Sequence, residues 1–337
     1  MNILIMLMIS ASLYANWDEI DTPARDTLSL IANDNYKEAL ESLDKIEKAN
    51  FTIPVSDCLR AALYYRITEE YRTRDFEEDF NNSIKKAVDV LSQEDKDKEK
   101  GDKYKAKRLQ FLGSAYGYRG MYRVFSGLWG SAFLDGKRGH DALSDSFDLD
   151  NALVDNKAGI GTYLYWRSAK SGFVKYLFLW GDRKQEGIDD LNLVVENGKI
   201  VKLWALGGLL RIYIEEKKGT LSLELIDKIL TLAPKDTGTM RRKAFVLEKK
   251  GQKQEAIKVY EQILSLVKAN DNIKLKDKVL NTANVQIDTI YNILRLNKEI
   301  KGNLDTSDYK AEVEKLKKRI TPSHADIKKY LEEIQRF

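Results

Sequence analysis

Two histidines and one cysteine are the only side chains in 337 residues suited to imidazole or thiol chemistry. His140 stands in Gly-His-Asp-Ala and His324 lies far along the chain in a different setting. Together with Cys58 they fall short of the four ligands of the usual structural zinc sites. The His-Glu-x-x-His pair, the Gly-x-Ser-x-Gly elbow and the glycine-rich phosphate loop with its lysine are all absent. Carboxylates are abundant, but Asp189-Asp190 and Glu77-Glu78-Asp79 read as exposed helix pairs rather than a catalytic dyad. Cys58, between Val55, Leu59 and Ala62 on an amphipathic pattern, reads as a small core residue. His140 is expected to start a helix at a turn. With no assembled acid, base or nucleophile, the sequence predicts no enzyme, no metal and no cofactor.

Binding chemistry is better represented, between Leu109 and Asp190. Tyr118, Tyr122, Phe125 and Trp129 fall at i, i+4, i+7 and i+11, an aromatic stripe on one helix. Gly113, Gly117, Gly120 and Gly127 lie among them and imply close packing or a bend, because glycine costs a helix about 1 kcal/mol. Arg119 and Arg123 are one turn apart, and Tyr163, Tyr165, Trp166 and Trp180 follow. The stripe is either core or one wall of an apolar small-molecule pocket made by Tyr118, Tyr122, Trp129, Tyr163 and Trp166. Arg119, Arg123 and Arg183 are the candidate partner-binding or anion-binding cations.

The elements that position these residues are helices. Forty-three per cent of the chain is hydrophobic, enough for a packed core, and four prolines are too few for a turn-rich sandwich. Fifty-six basic against 52 acidic side chains leave a net charge of +4, which supplies no argument for nucleic acid. Tyr36, Ala39, Leu43 and Ile46 form one apolar stripe, Ile84, Ala87, Val88 and Leu91 a second, and Ala256, Ile257, Tyr260, Ile263 and Leu264 a third. Short turns rich in Gly, Asp or Asn join the stripes in pairs. The charged stretch Ser92–Lys105 reads as an exposed loop or frayed helix end.

These pairs repeat. Gly251, Ala256, Tyr260 and Ile263 keep the same register as Asn35, Tyr36, Ala39, Leu43 and Ile46. Trp204, Gly208 and the closing Pro234 supply a third copy, about two residues long for the 34-residue unit. Gly181, Gly219 and Gly251 read as turn glycines. The pattern resembles the tetratricopeptide repeat family. That resemblance implies an all-α, right-handed solenoid of helical hairpins with degenerate central repeats, in which each hairpin buries its apolar face on the next. Gly159, Gly161, Tyr163, Gly181, Asp182, Arg183, Gly187 and Leu191 further resemble the Iml2-like branch of that family and its exported bacterial relatives. Ser171-Gly172-Phe173 replaces the Leu-Pro-Pro step often found there. The resemblance implies an interaction or scaffold protein without catalytic residues. Asp182 is expected to cap the helix after Gly181 through the N–H of Gln185.

Residues 1–15 form an uncharged apolar run, too short for a bilayer span, that fits a secretory signal peptide cut after Ala15. A misassigned start or buried first helix, and a retained anchor, are the alternatives. The expected organisation is a signal peptide (1–15), N-terminal helices (16–105), central and C-terminal repeats (106–270) and capping helices (271–337). Thr321 and Pro322 read as the N-cap and first residue of the last helix. The expected role is an exported, periplasmic scaffold that docks a protein or peptide on its concave face. The alternative is a component that binds an apolar small molecule or lipid; neither reading has a nucleic-acid partner or a stable membrane span. N-terminal sequencing of the mature protein is expected to start at Asn16, and an intact Met1 start in a cytosolic fraction would overturn export.

Overall fold

The computed structural model describes residues 17–49, 51, 53–93, 97–170, 181–302, 306–320 and 325–337. Tyr36, Ala39, Leu40, Leu43 and Ile46 are all buried on one side of helix α2 (Tyr36–Lys48), as their spacing requires. Against it packs α1 (Trp17–Ala32), and five more hairpins follow. These are α3 (Val55–Tyr71) with α4 (Glu77–Leu91), α5 (Asp97–Phe125) with α6 (Trp129–Leu149), and α7 (Asn156–Lys170) with α8 (Lys184–Asn197). Then come α9 (Lys202–Glu215) with α10 (Gly219–Leu232) and α11 (Thr237–Lys249) with α12 (Lys253–Ala269). Helices α13 (Ala283–Lys301), α14 (Ser307–Leu316) and α15 (Ala325–Arg336) finish the described chain. Each helix packs on its hairpin partner, and α1, α3, α5, α7 and α9 also pack in a row on one another. The chain is an all-α solenoid of helical hairpins.

The row bends back on itself. Helix α13 touches α3, and one apolar core runs from Ile20 and Leu28 through Ile67 and Phe80 to Ile290, Val313 and Ile334. A second core, from Tyr165 through Leu191 and Leu209 to Val246, lies under α7 to α11. Helix α3 is surrounded: only Asp57, Arg66 and Glu69 of its 17 residues are not fully buried. A helix apolar on all sides belongs in a core, and here it carries charge with it.

A recurring turn sets the hairpins. Asp34, Gly127, Lys217 and Gly251 each adopt φ between 55° and 78°, two residues before the second helix begins. In each, the next residue's N–H reaches back to the fifth carbonyl before it: Asn35 to Leu30, Leu128 to Arg123, Lys218 to Tyr213 and Gln252 to Leu247. This is the helix-ending motif that favours glycine, yet two of the four positions are Asp and Lys. Gly219 is therefore not the left-handed residue of its turn; Lys217 is, and Gly219 opens α10.

Glycine matters most where helices touch. A Cβ on Gly161 would lie 2.5 Å from the Gly187 carbonyl oxygen, and one on Gly187 would lie 2.5 Å from that of Gly161. Helices α7 and α8 thus meet backbone to backbone. Gly113 and Gly139 do the same for α5 and α6, where added Cβ atoms would lie 2.9 and 3.0 Å from the opposing carbonyls. This close fit carries α6 straight through its glycines, so His140 lies inside that helix rather than at its start.

Other local expectations shift. Helix α5 begins at Asp97, breaks at Gly101 (φ 79°) and crosses the expected 105/106 boundary, so part of the charged stretch is helical. Lys107, just beyond it, is buried against Asp21 at 2.6 Å. A two-residue antiparallel ladder, Lys274–Leu275 with Lys278–Val279, joins α12 to α13, and three α-helices follow among the described residues. Thr321, Pro322 and His324 lie outside the described residues, as do residues 1–15, Ser171-Gly172-Phe173 and Trp180.

Gly161→Ala is expected to lower unfolding free energy by about 1–3 kcal/mol through this clash. Gly117→Ala, whose Cβ meets nothing within 4 Å, is expected to raise it by up to about 1 kcal/mol. Urea denaturation of both variants checks the contrast.

Candidate functional site: a charged seam on the inner wall

Arg66, Glu69 and Glu70 stand at i, i+3 and i+4, so α3 presents them on one face. That face meets the start of α11. The Arg66 guanidinium lies 2.6 Å from Asp236, 3.1 Å from Glu70 and 3.5 Å from Asp34. Asp236 caps α11, accepting from the Thr239 N–H at 2.8 Å and its hydroxyl at 2.9 Å. Asp34, in the α1–α2 turn, accepts from the Tyr36 and Thr237 hydroxyls, each at 2.7 Å. Gly238 leaves the room: a Cβ there would lie 2.0 Å from the Glu70 carboxylate. Arg241 donates to the Glu70 carbonyl at 3.0 Å.

Further along, the Glu69 carboxylate accepts from both Arg211 of α9 and Arg242 of α11, the latter at 3.3 Å. In the other direction Arg72 lies 3.1 Å from Asp288 of α13, and Asn270 donates to the Tyr71 hydroxyl at 3.0 Å. The seam thus joins α3 to α9, α11 and α13 between partners 142 or more residues apart, and ties the α1–α2 turn to α11 across 203.

Its charges bend one another. Burial raises the Asp34 carboxyl, Arg66 opposes, and the neighbouring Glu70 and Asp236 add to the rise, leaving it at about 6. Burial also works against Glu69 and Asp236. Arg211 and Arg242 nonetheless pull Glu69 down to about 2, and Arg66 with the Thr239 N–H lowers Asp236. Arg211 is raised, chiefly by Glu69. Arg242 is lowered, by burial and by the like charge of Arg211 beside it. Most of the seam is sealed: Glu70 is 1% exposed. It opens at Glu69, where Arg211 of α9 and Arg242 of α11 keep 40% and 24% of their side chains exposed and together form one wall of the opening. Tyr65 forms its floor, and the Tyr118 ring lies 6.3 Å from the Tyr65 ring.

Two guanidiniums sharing one carboxylate can accept a further anion. Among the described residues no group of three or more His, Cys, Asp or Glu is placed to hold a metal ion. Cys58 is buried, which pushes its thiol up, and its sulfur lies 3.8 Å from the Phe111 carbonyl.

The candidate binding residues singled out from sequence are spread over two hairpins, α5–α6 and α7–α8. Tyr122 stacks on Phe80 with ring centroids 4.3 Å apart. Arg119 and Arg123 come together on Asp135, at 2.8 and 2.6 Å. Trp129 is exposed at the start of α6, beyond the left-handed turn at Gly127, so the stripe of Tyr118, Tyr122, Phe125 and Trp129 is divided between α5 and α6 rather than running along one helix. Tyr163 lies 4.8 Å from the His140 ring, and Trp166 meets Tyr165 edge-on at 5.2 Å. Arg183 pairs with Glu186 in the first turn of α8. Asp182 accepts from the Lys184 N–H at 3.1 Å, not from Gln185, because Arg183 is the residue that precedes α8. Of the repeat-defining residues, Tyr36, Ala39, Ala256 and Tyr260 are buried and Trp204 packs on the main core. Gly208 lies 3.3 Å, by its added Cβ, from Leu191, while Gly181 and Pro234 are exposed. Arg66, Glu69, Asp236 and Arg242 were not foreseen. Only the i, i+3, i+4 spacing of charges along α3 signalled Arg66 and Glu69, and their pairing with Asp236 and Arg242 of α11 had no local signal.

No family model and no curated protein matches the chain. Solved structures to which it is similar include the human IFIT1 dimer with PPP-AAAA, at 16% identity and a TM-score of 0.46. The match covers 90% of this chain and 68% of that one. A monomeric IFIT1 mutant with Gppp-AAAA is similar at 15% identity with the same TM-score, covering 90% of this chain and 67% of that one. Hairpins, turns and packing make this chain a tetratricopeptide-like helical solenoid.

The raised Asp34 sets a pH dependence. Folded, it holds its proton to about pH 6; unfolded, it loses it near about pH 4. Between those values the native state binds more protons, so this group's contribution to stability declines as pH rises. Asp34→Asn removes the titrating group and that slope, its amide oxygen accepting from one of the two hydroxyls and its NH2 donating to the other. Denaturant titrations from pH 4 to 7 are expected to show the variant gaining on the parent until about pH 6 and level above it.

Proposed function

We propose that the chain is a non-catalytic binding scaffold whose inner wall takes an acidic peptide segment of another protein. The observation that supports this reading is the sharing of Glu69 between Arg211 and Arg242. One carboxylate serves two guanidiniums, Arg242 is left with the repulsion of its neighbour, and both keep access to solvent. A ligand carboxylate relieves that repulsion at a site where charge-assisted, two-pronged hydrogen bonds give direction as well as strength. The concave placement suits an extended peptide. Spread of Tyr118, Tyr122, Trp129, Tyr163 and Trp166 over α5, α6 and α7 favours a peptide over one apolar pocket for a small molecule. The scaffold belongs, on this reading, with the Iml2-like branch, and it is exported by way of residues 1–15. No described helix is long and apolar enough to cross a membrane.

Selection from a displayed random-peptide library tests the wall. Acidic peptides are expected to be enriched, and Arg242→Met is expected to weaken them at least about tenfold while stability stays within about 1 kcal/mol. Enrichment that ignores acidic residues, or binding unchanged in the variant, would sink the reading.

A further inference from the structure

The end of the α5–α6 hairpin carries a second surface of a different kind. Leu128 is 55% exposed, Trp129 67% and Leu134 56%, with Val124 and Phe133 exposed beside them in sequence. Scattered exposed apolar residues are ordinary, but five within eleven positions at one hairpin tip are a patch.

The patch has a charge pattern. Along α6, Trp129, Phe133 and Lys137 follow at i, i+4 and i+8, while Leu134 and Arg138 follow at i and i+4. Both stripes run from apolar at the tip to basic a turn further on. At about 1.5 Å per residue, Trp129 to Leu134 spans roughly 7–8 Å, and Arg138 stands roughly 13 Å from the tip. Behind them Asp135, fully buried, is held by Arg119 at 2.8 Å and Arg123 at 2.6 Å, with Arg138 at 3.8 Å. Lys137 pairs with Asp141 at 2.5 Å. Arg119 and Arg123 are thus taken up by Asp135, while Lys137 and Arg138 keep 58% and 59% of their side chains exposed and make the outer side of the tip basic.

We propose that this hairpin tip docks end-on into an anionic lipid bilayer as a peripheral contact. Apolar groups of interfacial elements sit about 5–10 Å into the boundary between headgroups and acyl chains, which matches the apolar length of the tip. Lys137 and Arg138 then stand at the level of the lipid phosphates, and Trp129, at the tip, is the deepest of the inserted side chains. A second copy of the chain fits less well. A two-fold contact through this face would oppose two cationic clusters.

Co-sedimentation of the full chain with phosphatidylcholine vesicles, with and without phosphatidylglycerol, tests the assignment. Binding to the phosphatidylglycerol vesicles is expected, weakening with added salt. Trp129→Ser/Leu134→Ser is expected to reduce it at least about tenfold, and Lys137→Glu/Arg138→Glu to remove the preference for phosphatidylglycerol. Circular dichroism confirms that the exposed substitutions leave the helices intact. A chain that stays in the supernatant with both vesicles overturns the proposal. So does binding that both double variants retain, which would place it at residues 1–15. Loss of a dimer in the Trp129→Ser/Leu134→Ser variant, without vesicle binding by the parent, assigns the face to a second copy instead.

Discussion

A guanidinium taken almost out of water must be surrounded by acceptors, and Arg66 is surrounded by three carboxylates from three places in the chain. Stripping such charges of water costs several kcal/mol per ion, which pairing offsets only when geometry is good. Asp34 supplies one partner from the first hairpin turn, Glu70 another from the next turn of α3, and Asp236 the third from the cap of α11. The closed form of the solenoid follows from this requirement. Were α11 to swing away, Arg66 would lose its nearest acceptor and Asp34 its Thr237 hydroxyl together.

Hydrophobic burial provides the bulk of the stability and the seam provides its register. An apolar core tolerates sliding of one helix on another far better than a set of paired charges does, because dispersion is not directional while hydrogen bonds to ions are. Gly238 shows how tight the register is, since no side chain larger than hydrogen fits over Glu70 at the start of α11. The backbone contact of Gly161 with Gly187 fixes the next hairpins with comparable strictness.

Two outward-looking surfaces arise from this frame, and they differ in character. The inner wall at Arg211 and Arg242 is polar, half-sheltered and short of one negative charge. By contrast the α5–α6 tip is apolar first and basic second, and it projects from a hairpin made narrow by glycine.

Helices, hairpin order and most buried faces were legible in the sequence because 3.6-residue periodicity is a local property: Tyr36, Ala39, Leu43 and Ile46 needed only one another to be read. The turns were half legible. Gly251 announced its left-handed turn, whereas Asp34 and Lys217 adopt the same conformation without the residue that signals it. Arg119, Arg123 and Trp129 drew notice as residue types, but that two arginines converge on Asp135 depended on a glycine-mediated crossing. The seam was not legible, since Arg66 and Asp236, or Glu69 and Arg211, are brought together over 170 and 142 residues by the curvature of the whole array. Sequence determined what each helix must bury. Only the closed tertiary structure decided which charges meet, because Coulomb pairing depends on distance in space and helical periodicity on distance along the chain.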